Sequence, residues 1–187
     1  FPFVPIHISF VGWFTIGIPA SILALAPNAE RARPGFLTRV MSFSIPAGVV
    51  VAVTTFTTYL LVLPPAGDPR AMMQASTATL LTLMMGGAWV MIATARPYQW
   101  WKLLMIGLCS LAGWLVIFWL PGAFAQLAAG WPALTRFDPQ LDPGNPALMA
   151  TAGWLGLVAI VLVEALWWIS GRISGERRHL FGSLGER

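Results

Sequence analysis

The sequence predicts an all-α protein, a polytopic bundle of transmembrane helices, and three observations support this fold class. Of the 187 residues, 57% are hydrophobic and 10% are charged, whereas a soluble domain has about 25% charged residues. The apolar residues come in blocks of about 20, the length that crosses the hydrocarbon core of a bilayer. The alternating segments of about 10 residues that a membrane β-barrel needs do not occur. We therefore expect an integral membrane protein.

Five spans follow from the apolar blocks. Each block is apolar nearly all round, as a helix in lipid must be when its backbone satisfies its own hydrogen bonds. We expect a transmembrane domain over residues 1–170 and a cytoplasmic tail over 171–187. The predicted spans cover about residues 6–25, 41–63, 76–95, 103–120 and 148–169.

The arginines and lysines predict the orientation of the bundle. Nine of them lie in the loops 26–40 and 96–102 and in the tail, and two, Arg70 and Arg136, lie in the other two loops. Loops rich in Lys and Arg stay on the cytoplasmic side. The N-terminus is therefore expected outside and the C-terminus inside. Part of the last loop, residues 123–131, is apolar enough to lie on the membrane surface.

The first span contains a candidate cation site. Pro19 has no N–H, so the carbonyl of Thr15, four residues earlier, loses its helix partner, and Gly17 loosens the same turn. A freed carbonyl and the Thr15 hydroxyl would place two oxygens at one depth, and hard cations prefer oxygen ligands. The alternative is an ordinary proline kink whose carbonyl is satisfied by a neighbouring hydroxyl.

Glu164 is the clearest ionisable residue inside a predicted span. It lies five residues before Ile169, or about 8 Å inside the inner end of the helix at 1.5 Å per residue. Charged residues at such depth are candidates for cation binding or proton transfer. The alternative is a carboxylate that pairs with a basic residue at the inner interface, such as Lys102 or Arg172.

The remaining polar and small residues in the spans suggest packing rather than chemistry. The threonines at 54–58, Gly86 and Gly87 suit close helix–helix contact, and His7 is expected at the outer interface. The sequence contains no phosphate-binding glycine loop, no zinc motif and no nucleophile–base pair. We therefore predict no catalytic residue and no bound cofactor for this chain.

Two stretches carry a resemblance to a known family. VPIHISFVGWFTIGIPASILAL, with the proline- and arginine-rich turn after it, resembles the sixth transmembrane helix of P-type cation-transporting ATPases. Thr15, Gly17 and Pro19 match the end of the family's Asn-x-x-Thr-Asp-Gly-x-Pro pattern. ASTATLLTLMMGGAWVMIATARPYQWWKLLMIGL resembles the eighth and ninth helices with their Arg-Pro turn. The resemblance covers essentially the whole chain.

The resemblance implies that the five spans are helices six to ten of a bacterial pump of the Ca²⁺/Mg²⁺ type, in the plasma membrane. ATP and Mg²⁺ would bind cytoplasmic domains outside this chain, so the chain alone would not hydrolyse ATP. Its partners would be lipid and the remaining helices and domains of the pump. Thr15 would contribute to the cation path, with Gly17 and Pro19 shaping the helix. Arg31 and Arg33 would lie in a loop that couples to the catalytic domain, although topology alone also explains these arginines.

The chain departs from the family's pattern at three positions. Gly12 stands where the family has the cation-binding Asn, Ile16 where it has the Asp, and Met84 near a carboxylate that some relatives place in helix eight. Either most cation ligands come from helices four and five, or the transported ion is not Ca²⁺-like.

Two other functions are compatible with the sequence. The first is a self-standing five-helix accessory or scaffold subunit without transport chemistry. The second is a passive channel, which needs a continuous polar path that the spans do not provide. The first residue is Phe1 and no signal peptide follows, so we expect a piece of a longer protein.

Overall fold

The computed structural model describes residues 5–25, 36–65, 68–96, 100–131 and 140–173, and all regular structure within these ranges is helical. Seven α-helices and one π-helical segment follow one another along the chain. They are α1 (Pro5–Val11), π1 (Gly12–Gly17), α2 (Ile18–Leu25), α3 (Phe36–Val62), α4 (Pro69–Thr94), α5 (Trp100–Phe118), α6 (Leu120–Gly130) and α7 (Pro146–Ile173). The all-α prediction is confirmed.

Within the described residues, four helices are long and apolar enough to cross a membrane, which confirms a multi-pass membrane protein. They are Met41–Val62 within α3, Pro69–Thr94, Trp100–Phe118 and Pro146–Ile169 within α7. The first predicted span corresponds to α1, π1 and α2, which follow one another without a gap. No single regular helix there has the length of a span, because the π-helical segment divides it.

Helix α4 begins before the span that the sequence predicts. Asp68 is its N-cap, and the Asp68 carboxylate accepts hydrogen bonds from the backbone N–H groups of Arg70, at 2.9 Å, and Ala71, at 3.3 Å. Pro69 occupies the first turn, where its missing N–H costs no helical hydrogen bond. The cap moves the start of the helix to residue 69, seven residues before the predicted span.

Helix α4 is the centre of the bundle. It packs against α3, α5, α7, α1 and π1. Small side chains allow these contacts, and Ala75, Ala78 and Ala93 of α4 are all buried. Because α4 contacts every predicted span, it fixes the position of the first helical segment relative to the rest.

Gly86 and Gly87 lie at close helix contacts, as the sequence predicted. A methyl group added at Gly86 would lie 3.0 Å from Cγ2 of Val51 in α3, and one at Gly87 would lie 3.3 Å from Cγ2 of Thr15 in π1. Two adjacent glycines therefore bring α4 against two different neighbours.

A hydroxyl network joins the three main helices near the middle of the bundle. The Thr58 hydroxyl of α3 lies 3.1 Å from the Thr82 hydroxyl of α4, and Thr82 Oγ1 lies 3.1 Å from the Ala152 carbonyl of α7. Both threonine side chains are fully buried. These contacts confirm for Thr58 the packing role predicted for the threonines of the second span, and Thr82 extends the network to α7.

Candidate functional site

The irregular segment π1 lies at the site that the sequence singled out. The backbone N–H of Ile18 donates to the carbonyl of Trp13, five residues earlier, in place of the four-residue spacing of an α-helix. Pro19 follows directly and is fully buried. The loosened turn predicted from Gly17 and Pro19 is present, but as a π-helical register. Single π-helical turns within α-helices occur frequently at functional sites.

Thr15 lies in π1 at the contact with α4. Its hydroxyl donates to the carbonyl of Val11 at 2.6 Å, so the hydroxyl oxygen keeps its lone pairs for a further partner. Its methyl group faces Gly87. Thr15 is half-buried, between the surface of the chain and the α4 contact.

His7 is 1% exposed and is the buried residue of α1, a helix that packs against α4. The expected position at the outer interface concerns depth in the membrane and stays a prediction. The burial of His7 within the protein was not predictable, because a polar residue near the end of an apolar block gives no sequence signal for it.

The predicted coupling loop with Arg31 and Arg33 lies outside the described residues, as do the basic residues of the tail from 174 onward. Groups of three or more His, Cys, Asp or Glu side chains with the geometry of a metal site do not occur in the described part of the chain.

Glu164 is engaged by two side chains of the α4 region. Arg96 Nη2 lies 2.8 Å from both carboxylate oxygens, and Trp89 Nε1 donates to Oε2 at 3.3 Å. The Arg96 guanidinium also stacks over the Trp167 ring at 3.9 Å from its centroid. The Arg96 and Glu164 side chains are 14% and 28% exposed. The carboxylate therefore pairs with a basic residue, Arg96, which is the kind of contact that the alternative interpretation of Glu164 predicted.

Asp142 ties the segment before α7 to the first turns of α4. Its carboxylate accepts hydrogen bonds from Arg70 Nε at 3.0 Å, Gln74 Nε2 at 3.1 Å and the Gly144 N–H at 2.8 Å. Its backbone N–H donates to Thr77 Oγ1 at 3.0 Å. Burial raises the pKa of Asp142, but the hydrogen bonds and the charge of Arg70 outweigh it, so the pKa lies below its usual value.

This contact predicts an acid-sensitive contribution to stability. A lowered carboxyl pKa stabilises the fold above the usual pKa and loses that contribution as the pH falls through the lowered value. Asp142→Asn is therefore expected to lower the melting temperature at pH 7 and to have a smaller effect at about pH 3, below the usual carboxyl pKa, where the stabilisation is partly lost. Asp68→Asn is the control, because Asn caps a helix about as well as Asp. An equal effect of Asp142→Asn at both pH values would contradict the assignment.

Three known proteins are similar to the chain over nearly its whole length. Calcium-transporting ATPase CtpE of Mycolicibacterium smegmatis is 43% identical over 182 residues, which are 97% of this chain. The proteins of that name from Mycobacterium bovis and Mycobacterium tuberculosis are each 46% identical over 176 residues, or 94% of this chain. The chain is homologous to a segment of P-type ATPases. The resemblance noted from Thr15, Gly17 and Pro19 is confirmed.

The homologous segment is a minor part of each relative. The chain spans about one fifth of their length, 21% of the M. smegmatis protein and 20% of the other two. No family model matches the chain, and no solved structure matches it. The chain is therefore similar to a segment of calcium-transporting ATPases, and the part of it that the structure describes contains four helices long and apolar enough to cross a membrane.

Proposed function

We propose that this chain forms helices six to ten of an ATP-driven calcium pump in the bacterial plasma membrane. The observation that carries the proposal is the 43–46% identity to calcium-transporting ATPases over 94–97% of the chain. ATP and Mg²⁺ act in domains outside this chain, and Ca²⁺ is the transported ion. The partners of the chain are lipid and the remaining helices and domains of the pump.

The topology of the proposal has five spans with the N-terminus outside and the C-terminus inside. The segment Pro5–Leu25 is 21 residues of continuous helical backbone, or roughly 30 Å at 1.5 Å per residue. That length crosses the hydrocarbon core even though π1 divides it. Residues 1–170 form the transmembrane domain and 171–187 the cytoplasmic tail in this arrangement.

We assign the cation path in this chain to π1. A π-helical register changes which carbonyls accept helical hydrogen bonds, and carbonyl and hydroxyl oxygens are suitable ligands for Ca²⁺. Thr15 supplies oxygen there, while Gly17 and Pro19 maintain the irregular backbone. Because Gly12 and Ile16 carry no ligand group, most of the remaining ligands come from helices outside this chain.

Glu164 has a different role in this scheme. Arg96 engages both carboxylate oxygens of Glu164. Glu164 therefore neutralises the Arg96 guanidinium at one end of α4 and is not available as a cation ligand. Arg31 and Arg33 are proposed to lie in the loop that transmits movement of the catalytic domain to the segment containing π1.

Replacement of Thr15 tests the proposal in the full-length ATPase. Thr15→Val is expected to weaken the apparent Ca²⁺ affinity of ATP hydrolysis about tenfold or more. Removal of a polar contact with a charged group costs roughly 1.5–3 kcal/mol, and 1.4 kcal/mol is a factor of ten. Thr15→Ala/Pro19→Ala should have a larger effect, because it also restores a regular helix. The measurement is vanadate-sensitive ATPase activity against Ca²⁺ concentration.

Thr57→Val is the matched control, because Thr57 also donates to a carbonyl four residues earlier, that of Val53, and is likewise half-buried, on α3. Unchanged Ca²⁺ affinity in both Thr15 variants would remove Thr15 from the cation path. Absence of any cation-stimulated, vanadate-sensitive activity would instead favour the accessory or scaffold subunit.

A further inference from the structure

Helix α6 follows α5 after a single turn at Trp119 and has no buried residue. The described helix against which it packs is α5, its neighbour in the chain. Large apolar side chains at and beyond its ends are exposed, with Trp119 at 68% and Trp131 at 73%, and Leu127 within it is 63% exposed. Large apolar side chains that are exposed together indicate a surface that lipid or another molecule covers.

The large side chains of this segment share one face. Leu120, Phe124, Leu127 and Trp131 are spaced by four, three and four residues. At 100° per residue, these four positions fall within about 60° of one another on a helix. The opposite side carries only small or polar residues, namely Gly122, Ala125, Gln126 and Ala129. The segment is therefore amphipathic through the size and polarity of its side chains, without any charge.

The length of α6 excludes a membrane crossing. It has 11 residues, about 17 Å of helix, and apolar helices of 10–14 residues are too short to span. Helix α5 has already crossed with 19 residues. Helix α6 therefore begins where the chain leaves the hydrocarbon core.

Helix α5 carries the same pattern of exposed leucines as α6. Leu104, Leu108, Leu111 and Leu115 are all more than half exposed and repeat the same spacing of four, three and four residues. Residues 103–135 contain no charged side chain. Trp119 and Trp131 flank α6, and tryptophan is enriched at the level of the headgroups. Exposed, uncharged apolar side chains thus occur both on a helix long enough to span a membrane and on α6, which follows it directly in the chain.

We propose that α6 lies in the membrane interface at the end of α5, with Leu120, Phe124, Leu127 and Trp131 inserted between lipid headgroups and acyl chains. Amphipathic helices of this kind bury one apolar face at that boundary. The partner is the lipid surface itself. The proposal concerns the connection between α5 and α7 and does not depend on the pump function.

Paired cysteine labels on α6 test the proposal. Cys109 is the single cysteine of the chain, so Cys109→Ala provides a cysteine-free background. Leu127→Cys and the matched variant Gln126→Cys are labelled with an environment-sensitive fluorophore and reconstituted in vesicles of phosphatidylethanolamine and phosphatidylglycerol. Quenching is measured with nitroxides on the lipid acyl chains and with iodide in the aqueous phase.

The label at residue 127 is expected to be quenched several-fold more by the lipid nitroxides than the label at 126, and the label at 126 more by iodide. Iodide quenching of both labels alike would place α6 in water and overturn the proposal. Protection of both labels from both quenchers would overturn it in favour of a protein partner. Circular dichroism and size exclusion of each variant confirm that the bundle is folded before the comparison.

Discussion

Glu164→Gln is expected to destabilise the chain by roughly 3 kcal/mol. Removal of one partner from a buried ion pair costs about 3–5 kcal/mol, because the remaining charge is left without compensation. The expectation lies at the low end since Glu164 is 28% exposed and retains some access to solvent. Arg96 would lose the carboxylate that balances its charge and would keep its stacking contact with the Trp167 ring. The loss of stability is measured by thermal unfolding in lipid nanodiscs. A fluorogenic dye reports unfolding, because it reacts with the buried Cys109 thiol only when that thiol becomes exposed.

The double variant Arg96→Gln/Glu164→Gln separates the ion pair from general packing. Two amides can still form one hydrogen bond, and no uncompensated charge remains, so most of the lost stability should return. Lys102→Gln is the control, because Lys102 stacks on Trp101 of its own helix and is partly exposed. A double variant as unstable as Glu164→Gln alone would refute the ion-pair assignment.

The ion pair also explains which parts of the fold the sequence could predict. The spans follow from local composition, since about 20 consecutive apolar residues have few alternatives to crossing a membrane. The membrane depth of Glu164 followed in the same way. Its partner did not, because Arg96 is 68 residues away in the chain and several basic residues lie at the same predicted interface. Only the contact between α4 and α7 decides among them.

The sequence predicts where the candidate cation segment lies, but not which backbone conformation it adopts. Pro19 and Gly17 dictate that the helix departs from regularity near Thr15, and π1 lies there. Whether such a helix kinks or adopts a π-helical register depends on what it packs against. Here Thr15 meets Gly87 of α4, a contact between residues 72 positions apart in the sequence. The burial of His7 likewise depends on packing between helices and not on local sequence.

The Asp142 contact and α6 complete this comparison. A short run of turn residues before the last span gave no indication that Asp142 would bind Arg70 and Gln74 of α4. Helix α6, in contrast, was recognisable as an apolar segment, because its spacing is local. Interactions between elements distant in the chain are therefore what the sequence leaves open in this protein.

Gly86→Leu is expected to destabilise the bundle by about 3 kcal/mol or more. A methyl group at this position already meets Cγ2 of Val51 at 3.0 Å and Cγ1 at 3.1 Å, and a leucine adds three further carbons. Val51 cannot turn away, since a β-branched side chain in a helix has one strongly preferred rotamer. Overpacking of this kind typically costs 1–3 kcal/mol and occasionally more. Because α4 also contacts α7, α5 and the first helical segment, its displacement from α3 would disturb every other interface.

Gly48→Leu is the matched control, because nothing lies within 4 Å of a methyl group added there and Gly48 is exposed on α3. Its melting curve should equal that of the wild type or rise, since glycine costs a helix about 1 kcal/mol relative to better helix formers. Val51→Ala should partly rescue Gly86→Leu by removing the two methyl groups that clash. Equal melting temperatures of Gly86→Leu and Gly48→Leu would mean that α3 and α4 do not approach closely at this point.

The close approach at Gly86 accounts for the position of α4, and the adjacent Gly87 holds Thr15 against the same helix. A loss of stability at Gly86 that also weakens Ca²⁺ affinity in the full-length ATPase would therefore connect the packing of the bundle to the proposed cation path.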